Sequence, residues 1–272
     1  IDASGRPLAI RKGDAATPYG IADDLGPALA ATRFRPGQPK KGCAIVFSPE
    51  LMPIDDAPLS ALMAYSANPV SGPLPPEAWK RIFATGTCKG DSVAGLRNRA
   101  FPNFRAIPAE PGVRDWSMVG YDVGQSGASI NVETLASSGN AALDEASRAA
   151  TTETRYWSGA FTGCRFSYWR SAGTLPAPPA PEEDAFRPAG ATCPERREWA
   201  TPPVLRFPEP YRRRAIEGWA VVTYDVAPWG EINNIQVKAS QPSADFGAQA
   251  VTVLRSARVK PGPGAVGCVE RV

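Results

Sequence analysis

The chain has 272 residues, with 30 Lys and Arg against 27 Asp and Glu, no histidine and a net charge of +3. Its 43% apolar content is enough for two or three small cores and excludes a disordered polymer. The missing imidazole removes the commonest general base, zinc ligand and near-neutral switch, and no basic block marks a nucleic-acid footprint.

No apolar run approaches the roughly 18 to 20 residues that cross a bilayer, so stable membrane insertion is not expected. The chain opens on Ile1-Asp2 and a turn glycine, Gly5. Ile21, Leu25, Ala28, Leu29 and Thr32 recur at helical spacing, the pattern of a helix laid on a sheet. Pro27 inside it is expected to shorten or bend the helix. Arg33 marks the helix exit, and Pro36-Gly37 and Gly42-Cys43 follow. Residues 1–48 read as a partial domain. Residues 49–80 read as a linker with a short helix at 55–65 and a stiff break at 73–76.

Residues 81–171 read as a complete domain, led by Cys88. Residues 116–123 alternate as a strand, and Gln125-Ser126-Gly127 makes a turn whose glycine supplies the positive φ that a hairpin needs. A second strand spans 129–134. Asn140 caps a helix with the apolar face Leu143, Ala146 and Ala150, Arg155 leaves it, and residues 164–169 form a third strand. Residues 172–198, with Thr174-Leu-Pro-Ala-Pro-Pro-Ala-Pro at their centre, read as a Pro-rich linker that is either extended or packed across the domains. Residues 199–272 repeat the scheme. They contain a strand at 219–226, a turn at Pro228-Trp229-Gly230, a strand at 232–237 and a Ser243 cap. A helix face of Phe246, Ala250, Val253, Leu254 and Ala257 follows, then Arg258, Pro261-Gly262 and Gly267-Cys268.

Laid over one another, these segments are three copies of one unit. The distance from turn glycine to cysteine is 38, 37 and 38 residues for Gly5–Cys43, Gly127–Cys164 and Gly230–Cys268. The helix-exit arginines Arg33, Arg155 and Arg258 fall at equivalent places, as do Pro36-Gly37, Ser158-Gly159 and Pro261-Gly262. The fold class expected is α+β: three tandem two-layer β-β-α-β units, the first lacking its N-terminal strand.

Cys88 precedes Cys164 by 76 positions and Cys193 precedes Cys268 by 75. The matched spacing predicts one disulfide in each complete domain, a staple for a small core, and therefore an oxidising compartment. The same rule gives Cys43 a partner upstream of Ile1; otherwise it is a free buried thiol. No Cys or His cluster has metal-ligand spacing, and no cofactor or metal is expected.

The third copy carries Ile216-Glu217-Gly218, then a strand ending at Tyr224-Asp225-Val226. Gly230, Asn234-Ile235-Gln236-Val237 and Arg258-Val259-Lys260-Pro261-Gly262 follow. This pattern resembles the C-terminal domain of TonB-type energy transducers, with Ser256-Ala257 where that family usually has a Trp. The resemblance is good over 202–272, moderate over 102–169, and limited to the second half of the domain over 1–48. It implies a non-enzymatic periplasmic module that binds an extended peptide or envelope-protein segment, of the TonB-dependent receptor type, by adding it as a strand. The alternatives are a structural subunit of an envelope complex and an uncharacterised enzyme.

The exposed edge is expected at the post-helix strand of the second copy, with Tyr156, Trp157, Arg165, Phe166, Tyr168 and Trp169 as partner-binding residues. The other reading is that these aromatics fill the core or pack on a neighbouring repeat. Gly262-x-Gly264-x-x-Gly267 matches a nucleotide fingerprint by letter but follows a helix and contains Pro263, which argues against it. The acid pairs at 55–56 and 182–184 read as solvated charge, and so does Arg212-Arg213-Arg214.

Overall fold

A computed structural model of the chain describes residues 1–13, 22–70, 72–88, 95–157 and 159–272. In chain order it contains α1 (Ala22–Ala31), α2 (Leu59–Ala67), α3 (Pro76–Ile82), β1 (Leu96–Asn98), β2 (Trp116–Val123), β3 (Ser129–Ser137), α4 (Ala141–Glu153), β4 (Arg155–Tyr156) and β5 (Phe161–Trp169). There follow β6 (Trp199–Thr201), α5 (Glu209–Arg213), β7 (Trp219–Val226), β8 (Ile232–Gln241), α6 (Ala244–Arg255), β9 (Arg258–Val259) and β10 (Ala265–Arg271). Ile21 and Ser158, both used in aligning the copies, lie outside the described residues. No helix among the described residues is long and apolar enough to cross a membrane. The chain divides into two compact units, one holding residues 46–173 and the other the described residues of 1–45 with 174–272.

In the 46–173 unit, β2 is the centre of an antiparallel sheet ordered β3-β2-β5. Every residue of β2 except Asp122 is buried. The alternation expected for this strand is therefore wrong, because neither face of it meets water. On one face Val119 packs with Ala150 of α4 and Tyr168 of β5. On the other, Trp116 and Met118 pack against Leu62 and Met63 of α2 and Ala78 and Ile82 of α3. Burying a side chain of this size stabilises by roughly 1.5–3 kcal/mol. The stretch expected as a linker at 49–80 thus supplies a third layer. A central strand that is apolar on both faces needs cover on both.

The second unit repeats this plan. Its sheet is ordered β10-β7-β8, and β7 is again buried except at its aspartate, Asp225. Ala220, Val222, Tyr224 and Val226 face Ala250 and Leu254 of α6. Trp219, Val221 and Val269 face Ala177 and Phe186. Within the stretch expected as a linker at 172–198, the part from Leu175 to Phe186 accordingly supplies a covering layer and is not a free spacer. Leu175 is buried and exchanges main-chain bonds with Ala215 and Glu217, and the Trp219 indole N–H donates to Pro178 O at 2.8 Å. The two-layer expectation fails in both units for the same reason.

Disulfides join Cys88 to Cys164 and Cys193 to Cys268, each across a Cα–Cα distance of 5.0 Å. Both tie the segment leading into the domain to the post-helix strand. The side-chain hydroxyls of Thr87 and Thr192 reinforce this join, accepting from Thr162 N–H at 2.9 Å and Val266 N–H at 3.0 Å respectively. Cys43 is a free, exposed thiol and not a buried one.

The partial domain departs furthest from expectation. Among the described residues of 1–48 there is the helix α1 but no strand, only a bridge from Ile10 to Ser243. An edge strand needs a central strand to pair with, and the described residues of 1–48 contain no counterpart of β7. The helix face is also displaced. Gly26, Pro27 and Ala30 are buried, whereas Leu25, Ala28 and Leu29 are half-buried and Thr32 is exposed. The helix runs through Pro27 without stopping. Ala30 packs with Ile10, Leu175, Tyr211, Ile216 and Phe246, and Asp24 takes a bidentate pair from Arg214, with Nε at 2.7 Å. Arg214 is thus no part of a solvated face, although exposed Arg212 pairs with neighbouring Glu209.

One local geometry occurs at all three turn glycines. Gly5, Gly127 and Gly230 have φ of 83°, 79° and 88°. The carbonyl of each accepts the N–H of the residue following the helix-exit arginine: Phe34, Tyr156 and Val259, at 2.9, 2.8 and 2.9 Å. Arg33, Arg155 and Arg258 each turn Nη1 back onto the last carbonyls of the preceding helix. Such donors satisfy acceptors that the helix leaves open.

In the two complete sheets the central-strand aspartate closes a further pattern. Asp122 and Asp225 accept from Asn131 and Asn234, both at 2.8 Å, and from the main-chain N–H of Gly163 and Gly267 at 2.8 and 2.9 Å. The asparagines have φ of 54° and 51°, a conformation this residue type tolerates. The bonds from Asn234 and Gly267 hold the Asp225 carboxyl below its ordinary range. A carboxyl with a lowered folded value stabilises above its unfolded pKa and loses that contribution as pH falls through the folded one. Asp225→Asn should therefore flatten the acid limb of unfolding free energy against pH, measured by urea denaturation between about pH 5 and pH 2. An unchanged acid limb would remove Asp225 from that dependence.

Candidate functional site

The candidate site lies on β5, the outer strand of the 46–173 sheet. The register pairs Trp116 with Trp169, Met118 with Ser167 and Gly120 with Arg165, and Arg170 N–H bonds Asp115 O at 2.9 Å. In an antiparallel ladder bonded and non-bonded pairs alternate. Arg165, Ser167 and Trp169 therefore turn their main-chain N–H and C=O away from β2. No strand among the described residues pairs with them on that side.

The corresponding edge of the other sheet is different. Val272 and Ala220 exchange main-chain bonds, so the outward positions on β10 are odd-numbered. The carbonyl of one of them, Val269, accepts from Arg197 Nη2 at 3.1 Å, and the same guanidinium pairs with Glu270. Side chains thus occupy part of the β10 edge.

Beside β5 a groove of about 760 Å³ runs between this strand and α3. Trp79, Lys80 and Phe83 line one side, and Arg165, Ser167 and Trp169 the other, with Met118 at the floor. Trp79 and Phe83 stack at a centroid distance of 6.2 Å, as residues four apart on a helix do. Trp79 and Trp169 are 40% and 53% exposed, so the aromatic lining is open to a ligand. The Arg165 Nη2 donates to Thr85 Oγ1 at 3.1 Å, whereas its Nη1 is buried without an acceptor among the described residues. Burial lowers the Arg165 pKa from its ordinary value, since a desolvated cation without a counter-charge is disfavoured.

The structure separates the six residues expected to bind a partner. Arg165, Phe166 and Trp169 line the groove. Phe166 is half-buried, with the Arg99 guanidinium carbon 3.5 Å from its ring centroid. Tyr156 and Tyr168 are core residues, 2% and 3% exposed. Tyr156 meets the Tyr121 hydroxyl at 2.6 Å, and Tyr168 packs with Val119 and Ala150. Tyr168 is withdrawn as a contact residue because its side of β5 packs on Val119 of β2 and Ala150 of α4, and Tyr156 because it lies on β4 and packs with Tyr121, Val123 and the Cys88–Cys164 pair. Trp157 is exposed but belongs to the segment bonded to Gly95, under Arg97, and does not line the groove.

Trp79 and Lys80 were missed because 49–80 reads as a linker, and Phe83, just inside the 81–171 domain, was not singled out. The signal was present: Pro76 at a first helical position, Glu77 in the first turn, and Lys80 and Arg81 in the last.

Compared with known families, residues 203–268 match the family described as Gram-negative bacterial TonB protein C-terminal. No curated protein matches the chain.

Proposed function

With residues 203–268 forming a TonB C-terminal domain, we propose that this chain is a non-catalytic periplasmic interaction protein. It binds an extended segment of an envelope protein, of the TonB-dependent receptor type, by strand addition to β5. The chain is built from copies of one unit, two complete and one reduced to its turn and helix. The recurring turn-glycine geometry at Gly5, Gly127 and Gly230 supports this reading. The observation that carries the binding role is the β5 edge. It presents the outward main-chain groups of Arg165, Ser167 and Trp169 beside an aromatic groove, while the β10 edge is partly occupied by Arg197. An added strand gains main-chain bonds from such an edge and selectivity from the pockets beside it.

Ser167→Pro tests the role. Its N–H points away from β2, so proline there removes a bond to the guest and none to the host sheet. Binding of a TonB-box-like heptapeptide should weaken at least about 10-fold, for the loss of one or more interface hydrogen bonds, with the thermal midpoint nearly unchanged. Equal affinity for the wild type and the variant would overturn strand addition at β5.

A structural-subunit reading is favoured by a different observation. Val46, Phe47, Leu51 and Met52 are all exposed, and apolar side chains left exposed close together in the chain mark candidate contact sites. Stoichiometric co-purification with one envelope protein, lost on replacing Val46 and Phe47 by Ser, would support that reading.

A further inference from the structure

The groove has an electrostatic character that strand addition alone does not need. Its cationic lining residues are Lys80 and Arg165, and no carboxylate lines it among the described residues. Arg165 is half-buried and has one guanidinium nitrogen anchored on Thr85, with a second lacking an acceptor. A carboxylate entering the groove supplies the missing acceptor after a small swing of the side chain. Charge-assisted pairs with arginine are the strong class of hydrogen bond. At the far end of the same face stands Trp169, with Trp79 and Phe83 opposite on α3, a surface suited to a large apolar side chain.

We propose that this groove reads a two-residue code in its peptide: one acidic residue received by Arg165 and one large apolar residue received at Trp169, four positions apart. The inference rests on strand addition at β5 and adds the specificity of that site. The spacing follows from the strand. Arg165 and Trp169 share a face with Ser167 between them, and residues of a paired strand stand opposite at the same intervals. A guest with the two residues three apart sends one of them to the other face. The acid comes first in one strand direction and second in the other.

The test uses the full chain and fluorescein-labelled heptapeptides. The probes are Ser-Glu-Val-Thr-Val-Leu-Ser, its order-reversed form Ser-Leu-Val-Thr-Val-Glu-Ser, a Glu-to-Gln version of each, and the spacing control Ser-Val-Glu-Thr-Val-Leu-Ser. One of the first two should bind, read by fluorescence polarisation. Replacing its Glu by Gln should weaken binding at least about 10-fold, the scale of a lost charge-assisted bond. The spacing control should lose a similar factor. In Arg165→Gln the Glu and Gln peptides should bind alike.

If the peptides bind the wild type but Glu and Gln versions do so equally, the acidic code is overturned. Strand addition then stands provided that Ser167→Pro weakens the binding by about 10-fold or more. If neither parent peptide binds the wild type, both readings fail. The Glu-to-Gln comparison is made on wild-type protein, so the outcome does not depend on Arg165→Gln folding.

Discussion

Replacing both Cys193 and Cys268 by alanine should lower the unfolding free energy of the chain by about 4.5 kcal/mol, the chain-entropy value for a loop of 75 residues. The bond is buried, with Cys268 fully covered and packed among Ala220, Val222 and Leu254, so loss of packing adds to the entropic term. The leading segment through Phe186 covers the second face of β7 and is held to β10 by this link, by the Thr192–Val266 bonds, by Arg197 on Val269 and Glu270, and by Arg271 on Pro181. Freed of the staple, that layer should loosen first. Urea denaturation would measure the change, and hydrogen exchange should place the earliest protection loss at Trp219 and Val221. A change below about 1 kcal/mol would mean that the apolar layers hold without the cross-link. The Cys88–Cys164 bond closes a loop of 76 residues in the other unit and predicts a loss of the same size on its removal.

Gly230→Ala should destabilise the chain by about 3 kcal/mol or more, through positive-φ strain together with overpacking. Gly230 has φ of +88°, and a Cβ there would lie 1.9 Å from the Val259 carbonyl oxygen. That contact cannot relax by a rotamer change, because the obstacle is main chain from the β6–β9 ribbon. The same carbonyl segment receives the turn, since Gly230 O accepts Val259 N–H. Gly262→Ala is the matched control: its nearest neighbour to a new Cβ is Lys260 O at 4.0 Å. It should change stability by no more than about 0.5 kcal/mol. If the two variants unfold at the same urea concentration, the turn glycine has no special role. Gly127→Ala, with a Cβ 2.1 Å from Tyr156 O, should behave as Gly230→Ala does.

Several parts of this architecture were legible before any coordinates. The central strands at 116–123 and 219–226 coincide with β2 and β7. The α6 face of Phe246, Ala250, Val253, Leu254 and Ala257 is buried throughout. These features depend on near neighbours in the chain: side-chain periodicity, a capping Ser or Asn, and a glycine that alone tolerates the turn conformation. The α4 face was weaker, since buried Ser147 and Thr151 share it with Leu143 and Ala150. Small hydroxyl residues can be buried by returning a bond to the preceding helical turn, as Thr151 does to Ser147 O at 2.8 Å, and hydropathy does not register them.

The candidate site was legible only in half. Arg165, Phe166 and Trp169 stand on an edge that the sequence located, but on the opposing wall Trp79 and Lys80 come from a segment read as a connector, and Phe83, at the start of the next domain, was not singled out. Tyr156 and Tyr168 were misassigned because aromatic density along a strand does not tell which face each ring takes. The register with β2 decides that.

What the sequence determined by itself is local: a turn glycine, a helix and an arginine that returns to the helix end, all set by interactions within a few tens of residues. Only the tertiary structure decided that each central strand is covered on both faces, that segments within 54–83 and 175–186 supply the covering layers, and that the described residues of 1–45 hold a turn and a helix but no strand. The physical reason is that a strand's second face is buried by whichever apolar segment reaches it, and partner choice at that range follows from shape and area across the whole unit. Local pattern carries no record of it.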